Sequence, residues 1–386
     1  MPILNVEDVL EIFFPSDFDV IHPNASDYNP FAWDLPNNGT GLFTDGHYDS
    51  ISLFTAFHKV SHFVTTIIGG MCSITLFYLV LFHCKGVLGQ YGRMLLLCCV
   101  CDLTYWLVES LVNVKTKVND GCLIARLEGV TKFTSYNSQA FFTSLYAMQL
   151  TMMVTILPSQ YFYRYWSVCN SEPLSAWQTF GLYCISLFFA IILAVLAYPS
   201  YRFSGLARPD FNYGTLWYKE QPLPPLMIAD FSSVYAQRYL IYCVSAFIVS
   251  YGICLILAIK TVRLMAENEQ MYSSKTKRMQ KQLTITLTLQ TLMPLFISFG
   301  PVVCVCIGCF FRVDTGVMSL VVLGFASWIP VVNPVLTIWV IQPFRRTVFR
   351  WLYIKVGGVI SQESSSVKKT TNGRPTTSIA SVRGFK

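Results

Sequence analysis

The chain has 386 residues, of which 53% are hydrophobic and only 13% are charged. A soluble domain carries about 25% charged residues, so the composition excludes an ordinary soluble protein. A formal charge of +7 can indicate nucleic-acid binding, but here the basic residues flank apolar stretches. We therefore attribute the charge to membrane topology and anionic lipid, and we predict the lipid bilayer and no nucleic acid as a partner.

Seven apolar stretches, each long enough to cross a bilayer, dominate the sequence. About 20 residues of α-helix span the hydrocarbon core. The stretches are residues 63–82, 94–114, 133–162, 177–197, 239–259, 283–311 and 316–341. They predict an all-α membrane protein in which residues 58–342 form a seven-transmembrane-helix bundle. Because seven is an odd number, the two termini are expected on opposite faces of the membrane.

The two tails set the predicted orientation. Residues 1–57 contain recurrent acids, no Lys or Arg, and two N-glycosylation acceptors, Asn24 and Asn38. We interpret this segment as an extracellular, largely disordered tail. In residues 343–356 apolar and basic residues alternate at helical spacing, which predicts an amphipathic interfacial helix, and residues 357–386 form a Ser/Thr-rich basic tail in the cytoplasm. The pattern predicts a multi-pass plasma-membrane protein with its N-terminus outside.

The predicted outer loops favour this orientation only mildly. Several basic residues lie in them, among them Lys115 and Arg126, against the usual excess of positive charge on the cytoplasmic side. Cys122 is the one cysteine clearly in an outer loop, and a disulfide from it to Cys243 or Cys309 is left open.

Two acids interrupt the second span. Asp102 and Glu109 are seven residues apart, two turns of helix, so they share one face, and that face must look into the bundle. An ionisable residue at mid-bilayer costs about 2.5–3.5 kcal/mol on insertion scales, so each position needs a reason. Either residue can be a hydrogen-bonded packing group. The functional alternatives are an ion- and water-linked network at Asp102 and a ligand-facing acid at Glu109.

No motif for catalysis or cofactor binding is found. The sequence has no Walker loop, GxGxxG, HExxH or GxSxG pattern, so we predict neither an enzyme nor a bound cofactor. His58 and His62 are four residues apart on one helix face, but no third ligand accompanies them, so no metal site is predicted.

Three segments carry a resemblance to a known family. Residues 163–168, Tyr-Arg-Tyr-Trp-Ser-Val, are similar to the Asp-Arg-Tyr-x-x-Val signature of rhodopsin-like receptors, with Tyr163 in place of the acid. Asn333 and Pro334 resemble the Asn-Pro pair of their seventh span, and residues 275–283 lead into the sixth. In order and spacing the chain resembles a G-protein-coupled receptor, and it is most similar to the nematode seven-transmembrane chemoreceptors of the Str superfamily, Srd class.

The resemblance implies a chemosensory receptor. It would pass the binding of an extracellular small molecule or peptide to a cytosolic heterotrimeric G protein, with the sensory cilium as a candidate location. Asp102 and Asn333 would point inward at similar depth and share an intramembrane polar network. The candidate ligand-binding residues are Tyr105, Trp106, Glu109, Tyr136, Gln139 and Phe142. The candidate G-protein contacts are Arg164, Lys275, Lys277, Arg278 and Lys281.

Two other functions stay open at this point. An odorant-gated ion channel can also have seven spans, but the known ones resemble the opposite orientation, with the N-terminus inside. An ion-coupled transporter would use Asp102 and Glu109 as its coupling acids. Topology separates the channel from the receptor, and ligand-dependent guanine-nucleotide exchange separates the receptor from both.

Overall fold

The computed structural model describes residues 21–36, 48–84, 87–170, 172, 174–267, 288 and 300–351. Most of these residues are helical. The helices are α1 (Ser52–His83), α2 (Val87–Val112), α3 (Tyr136–Cys169), α4 (Ala176–Phe203), α5 (Val234–Glu267), α6 (Gly300–Phe311), α7 (Met318–Gly324) and α8 (Ile329–Val340). A 3-10 turn, Phe325–Trp328, joins α7 to α8, so these elements together make one span.

Six helical stretches of the described chain are long and apolar enough to cross a membrane. They are Ser52–His83, Tyr91–Val112, Tyr136–Cys169, Ala176–Ala207, Val234–Met265 and Met318–Val340. They match the first five predicted spans and the seventh. Of the sixth, predicted at residues 283–311, only residue 288 and α6 are among the described residues.

Helix α3 is the central helix of the bundle. In its most apolar stretch 67% of the residues are buried, compared with 22% for the corresponding stretch of the fourth span. Its polar side chains bond to its own backbone: Thr143 Oγ1 donates to the Gln139 carbonyl (2.8 Å) and Ser144 Oγ to the Ala140 carbonyl (2.7 Å). Short hydroxyl side chains can therefore be buried here without unpaired polar atoms.

A small antiparallel sheet covers one end of the bundle. Strands β2 (Val114–Asn119), β3 (Cys122–Leu127) and β5 (Met227–Asp230) pair in the order β2-β3-β5. Asp120 (φ 45°) and Gly121 (φ 78°) make the two-residue turn between β2 and β3, and a tight hairpin turn of this kind favours Asp-Gly. A second, two-stranded sheet joins β1 (Tyr48–Asp49) to β4 (Glu220–Gln221). The sequence analysis predicted no strands.

Residues 21–36 of the N-terminal tail lie across this sheet end and are named the cap segment. Asn29 Nδ2 donates to the Pro224 carbonyl (3.0 Å), and Asp34 Oδ1 accepts from the Leu223 amide (2.8 Å). Asn29 and Asp34 are both buried. The cap segment thus differs from the predicted disordered tail, because its polar groups find partners in the loop between α4 and α5. The end of the bundle that carries the cap segment and the sheet is named the tail face.

The chain after the seventh span turns into another helical segment, residues 342–351. Phe344 is fully buried, whereas Phe349 and Trp351 are exposed. The segment thus carries both buried and exposed apolar side chains, and its interfacial position stays a prediction. Residues 352–386, which include the end of the predicted amphipathic helix and the basic tail, lie outside the described residues.

All thirteen cysteines lie in the described chain, and all are free thiols. Cys122 is buried, and its Sγ lies 3.8 Å from the Asp120 carbonyl oxygen rather than against Cys243 or Cys309. The disulfide that the sequence left open is therefore not formed in this structure. Strand pairing and ion pairs hold the tail-face loops instead.

Candidate functional site

Asp102 and Asn333 meet inside the bundle. Asn333 Nδ2 donates to Asp102 Oδ1 at 3.2 Å, and both side chains are buried. The Asn333 carbonyl in turn accepts a hydrogen bond from Thr337 Oγ1 (2.8 Å), one turn further along α8. The hydrogen bond links α2 to the seventh span.

Glu109, two turns from Asp102 on α2, is buried with only 5% of its surface exposed. Its Oε1 lies 3.9 Å from Nδ1 of His62 on α1, and the Tyr146 hydroxyl is its polar neighbour on α3. The other carboxylate oxygen, Oε2, has no hydrogen-bond partner among the described residues. Glu109 therefore points into the space between α1, α2 and α3.

Tyr105 and Trp106 serve helix packing on two sides of α2. The fully buried Tyr105 donates its hydroxyl to the Ala326 carbonyl in the seventh span (3.0 Å). Trp106 faces α1, where its Nε1 donates to the Thr66 carbonyl (2.8 Å) and its ring fills the space beside Gly70.

The three candidate ligand residues of α3 lie near its tail-face end. Tyr136 donates its hydroxyl to the Tyr201 carbonyl on α4 (3.0 Å). Gln139 Nε2 donates to two backbone carbonyls, at Lys132 (3.0 Å) and Thr134 (2.9 Å), and so stabilises the turn that precedes α3. Phe142 is partly buried and packs edge-on against its neighbour Phe141. Two of the three thus bond to backbone groups.

A cavity of about 80 Å³, named the central cavity, lies among α3, α4, α5, α6 and the seventh span. Strands β2 and β3 form its wall on the tail face. The lining is mainly apolar, with hydroxyl-bearing side chains at Thr116, Thr143, Tyr146, Thr151, Tyr201 and Tyr239, and none of its described residues is Asp, Glu, Lys or Arg. A space of this size holds a few waters or a small organic molecule.

None of the six candidate ligand residues lines the central cavity. Two lining tyrosines connect some of them to it. Tyr146 contacts Glu109 and lies with its ring centre 6.3 Å from that of Tyr105. Tyr201, whose carbonyl accepts from Tyr136, faces the Tyr239 hydroxyl at 3.4 Å. Three of the candidates therefore lie one layer behind the cavity wall.

Arg164 lies at the opposite end of α3 from the tail face and is buried, with 4% of its surface exposed. Its Nη2 lies 3.9 Å from Sδ of Met265 on α5. Tyr163, which takes the position of the usual acid, is turned toward α2, where its ring contacts Tyr91. The other four candidate G-protein contacts, Lys275, Lys277, Arg278 and Lys281, lie outside the described residues.

Asn24 and Asn38 are the two predicted glycosylation acceptors. Asn24 is exposed in the cap segment, on the tail face. Asn38 lies outside the described residues.

The sequence analysis missed a buried ion-pair network under the sheet. Lys115 on β2 is fully buried, and its Nζ donates to Thr55 Oγ1 (2.8 Å) between the carboxylates of Asp49 (3.9 Å) and Glu220 (3.8 Å). Arg126 on β3 pairs with Glu220 as well. The sequence does contain a signal for this sheet. Asp120-Gly121 follows a run in which Lys residues alternate with Val and Thr, and this pattern predicts a hairpin with its charges on one face.

Arg126 also controls the charge of Glu128. Burial raises the pKa of the Glu128 carboxyl, but the guanidinium of Arg126, whose Nε lies 3.8 Å from Oε1, acts in the opposite direction. With smaller contributions from His58 and Lys115, the pKa ends below its usual range. Glu128 is therefore a carboxylate at neutral pH.

A second network fixes the loop between α4 and α5. Asp230, fully buried at the end of β5, accepts from Arg208 Nε (2.8 Å) and from the Tyr213 hydroxyl (2.8 Å). Arg208 also pairs with the Asp120 carboxylate in the hairpin turn. Two loops distant in sequence are thereby joined by ion pairs.

Comparison with known proteins defines the class of fold. The structure is similar to the crystal structure of squid rhodopsin, with a TM-score of 0.59 and 13% sequence identity, over 84% of this chain and 92% of that one. The fold is therefore that of a seven-transmembrane receptor, and the predicted all-α membrane bundle is confirmed.

The family follows from the sequence. Residues 58–350 match the model of the serpentine-type 7TM GPCR chemoreceptor family Srd. The chain belongs to this family, as the resemblance predicted. Among its relatives are the serpentine receptor class delta-19 of Caenorhabditis elegans, 22% identical over 76% of this chain and 87% of the relative, and the G-protein coupled receptor str-33 of the same species, 21% identical over 71% and 85%. The protein is thus a multi-pass membrane chemoreceptor of the serpentine type.

Proposed function

We propose that the protein is a chemoreceptor that binds a small ligand in the central cavity and activates a heterotrimeric G protein at the face opposite the tail face. The observation that carries the proposal is a continuous set of contacts from cavity to bundle centre. Tyr146 lines the cavity and contacts Tyr105, which bonds to the seventh span at Ala326; the same span carries Asn333, bonded to Asp102.

The cavity supports a small molecule rather than a peptide as the ligand. Its volume of about 80 Å³ is too small for a peptide, and strands of the sheet close it toward the tail face. In this proposal Glu109, Tyr105 and Tyr136 hold the wall tyrosines in position. Trp106, Gln139 and Phe142 fix the helices and the turn around the site.

The G protein is proposed to bind at the inner ends of the third and sixth spans. Arg164 is the described member of this set, and its burial between α3 and α5 puts it where a shift of either helix would expose it. Lys275, Lys277, Arg278 and Lys281 supply positive charge in the preceding loop. This requires the tail face to be extracellular, with glycan at Asn24 and Asn38 and with the receptor in the plasma membrane, in the cilium if the cell is sensory.

The test is ligand-dependent guanine-nucleotide exchange in membranes that hold the receptor and a G protein. Arg164→Ala should abolish exchange while surface delivery and ligand binding stay close to wild type. Arg93→Ala is the matched control, because Arg93 lies at the same face but bonds to the Leu174 carbonyl (3.1 Å) in a loop. If nucleotide exchange persists in Arg164→Ala, Arg164 has only a structural role. Family membership gives no support to the channel or the transporter.

A further inference from the structure

Among the described residues, the sheet presents one polar side chain to the central cavity. Four sheet residues line the cavity: Val114 and Thr116 on β2, and Leu123 and Ala125 on β3. Side chains alternate between the two faces of a strand, and Thr116 lies directly opposite Ala125 in the register, so the four share one face. The Thr116 hydroxyl is therefore the hydrogen-bonding group that this wall offers to a ligand.

The other face of β2 holds the strand in place. Lys115, next to Thr116, is fully buried there, and its Nζ lies 3.9 Å from a carboxylate oxygen of Asp49 and 3.8 Å from one of Glu220. These ion pairs tie β2 to the loops behind it. A ligand that contacts Thr116 thus meets a held strand, and the group it can rearrange is the Thr116 side chain.

The outer edge of β2 is bonded to the beginning of the seventh span. β2 is an edge strand in the order β2-β3-β5, and the backbone groups along a free edge need partners. The Thr116 carbonyl accepts from Ser319 Oγ (3.3 Å) and from the Tyr218 hydroxyl (3.1 Å), and the Val118 carbonyl accepts from the Thr315 amide (3.0 Å). Because Ser319 lies in the first turn of α7, the seventh span is attached directly to a strand that lines the cavity.

Thr116 and Ser319 are bonded in both directions. Besides the bond from Ser319 Oγ, Thr116 Oγ1 donates to the Ser319 carbonyl at 3.5 Å. Hydrogen bonds between a hydroxyl and an oxygen are usually about 2.7–2.8 Å long, so this one is weak. In contrast, the Thr143 hydroxyl, also on a cavity-lining residue, donates to the Gln139 carbonyl at 2.8 Å. Of the two, the Thr116 hydroxyl is the one that can turn to an acceptor in the cavity.

We propose that the ligand of the central cavity is an uncharged molecule with a hydrogen-bond acceptor, and that Thr116 Oγ1 donates to this acceptor instead of to the Ser319 carbonyl. The inference rests on the proposed function and adds a specificity-determining residue to it. None of the described lining residues is Asp, Glu, Lys or Arg, so a charged ligand would be buried without a counter-charge from them. The exchange of acceptors removes one of the two bonds between Thr116 and Ser319, which loosens the start of the seventh span.

Three five-membered rings test the ligand class, because they differ at a single ring position. Tetrahydrofuran has an ether oxygen that accepts a hydrogen bond, cyclopentane has a methylene group there, and pyrrolidine is positively charged at neutral pH. Binding is measured as the concentration-dependent rise in the melting temperature of the full-length receptor in nanodiscs. The wild type should bind tetrahydrofuran about three- to tenfold more tightly than cyclopentane, as expected for one hydrogen bond, and pyrrolidine should cause no rise.

Thr116→Val is the decisive variant, because it removes the hydroxyl and keeps a side chain of similar shape. It should bind tetrahydrofuran and cyclopentane about equally, and Thr116→Ser, which retains a hydroxyl, should keep the preference for tetrahydrofuran. Thr143→Val is the matched control: the Gln139 carbonyl holds its hydroxyl, so its loss should leave the preference intact. A purely structural role of Thr116 would lower the melting temperature of Thr116→Val without changing the preference between the two probes.

Hydrogen exchange of the backbone amides in α7 tests the link to the seventh span. Tetrahydrofuran should speed exchange in α7 of the wild type about two- to threefold, because a weak hydrogen bond to Ser319 is lost, whereas cyclopentane should not. In Thr116→Val, exchange in α7 should already be faster without a probe. If tetrahydrofuran leaves exchange in α7 unchanged or slows it, the proposed link between Thr116 and the seventh span is wrong.

The results separate a failure of this inference from a failure of the proposed function. If Thr116→Val keeps the preference for tetrahydrofuran, the donor is another wall hydroxyl, such as that of Thr151, and the inference is wrong while the cavity remains the ligand site. Pyrrolidine that binds the wild type as tightly as tetrahydrofuran would also overturn the inference. If no probe stabilises the wild type more than Ala147→Leu, in which the cavity is filled, both the ligand site and this inference are contradicted.

Discussion

Polar residues are paired differently at the tail face and inside the helix bundle. At the tail face, the fully buried Lys115 and the partly buried Arg126 and Arg208 form ion pairs that join loops to one another. Inside the bundle, the described acids are few, and Asp102 is joined to the seventh span through one hydrogen bond to Asn333. Many mutually dependent ion pairs make a rigid framework, whereas a single buried bond between two spans can break and reform.

The difference also bears on the loop charges, which favour the predicted orientation only mildly. The positive-inside rule counts Lys and Arg as free charges near the membrane. Lys115 and Arg208 are neutralised by Glu220, Asp49 and Asp230, so they do not act in that way. Because all cysteines are free thiols, these ion pairs, and not a disulfide, join the loops to one another.

The largest effect is expected where the tail-face framework is broken. Arg208→Ala leaves the fully buried Asp230 without its cation and should destabilise the receptor by about 3–5 kcal/mol. Thermal unfolding of purified receptor measures this. Arg202→Ala is the control, since Arg202 contacts Tyr198 and Phe203 rather than a buried acid, and its loss should cost less than about 1 kcal/mol. Equal losses in the two variants would show that the framework is not held by this pair.

A smaller effect is expected from crowding the bundle. A Cβ atom at Gly70 would lie 2.6 Å from the Trp106 ring, so Gly70→Ala should cost about 1–3 kcal/mol. Gly252→Ala is the matched change in another span, where nothing lies within 4 Å, and it should leave stability unchanged or raise it by about 0.5–1 kcal/mol. The contrast is read from melting temperatures in one lipid. If Gly70→Ala melted like wild type, the α1–α2 contact would be looser than described.

Filling the central cavity separates ligand binding from stability. Ala147 lines the cavity, and Ala147→Leu should lower ligand potency about tenfold or more, equivalent to about 1.4 kcal/mol, while the melting temperature stays the same or rises. Ile248→Phe adds bulk on the exposed side of α5 and should leave potency unchanged. Potency is measured as concentration dependence of nucleotide exchange. An unaffected potency in Ala147→Leu would place the ligand elsewhere.

Much of the fold could be predicted because its signals are local. Length and hydropathy located the described spans, and the resemblance to rhodopsin-like receptors implied that Asp102 and Asn333 point inward at similar depth, where a hydrogen bond joins them. The ligand residues were harder, because the position of a cavity depends on how separate helices pack. On α3 the predicted Gln139 shares a face with Thr143 and Tyr146, which line the cavity one and two turns deeper.

Other parts of the site could not be read from periodicity. On α2, depth alone did not show that Trp106 faces α1. The sheet and the cap segment were missed because the prediction relied on long apolar stretches. Short strands within loops contain no such stretch. Their partners are distant in sequence: Asn29 bonds to Pro224, and Lys115 lies between Asp49 and Glu220.

The central claim is that the Asp102–Asn333 bond controls activation. The most direct measurement is nucleotide exchange, with and without ligand, at matched surface expression, for Asp102→Asn and for Asp102→Asn with Asn333→Asp. The single change removes the carboxylate from a buried pair worth about 1–3 kcal/mol and should shift exchange several-fold. The double change restores one carboxylate and one amide and should return exchange toward wild type. Equal potency and efficacy in the wild type and the single variant, or a double variant no closer to wild type, would contradict the claim.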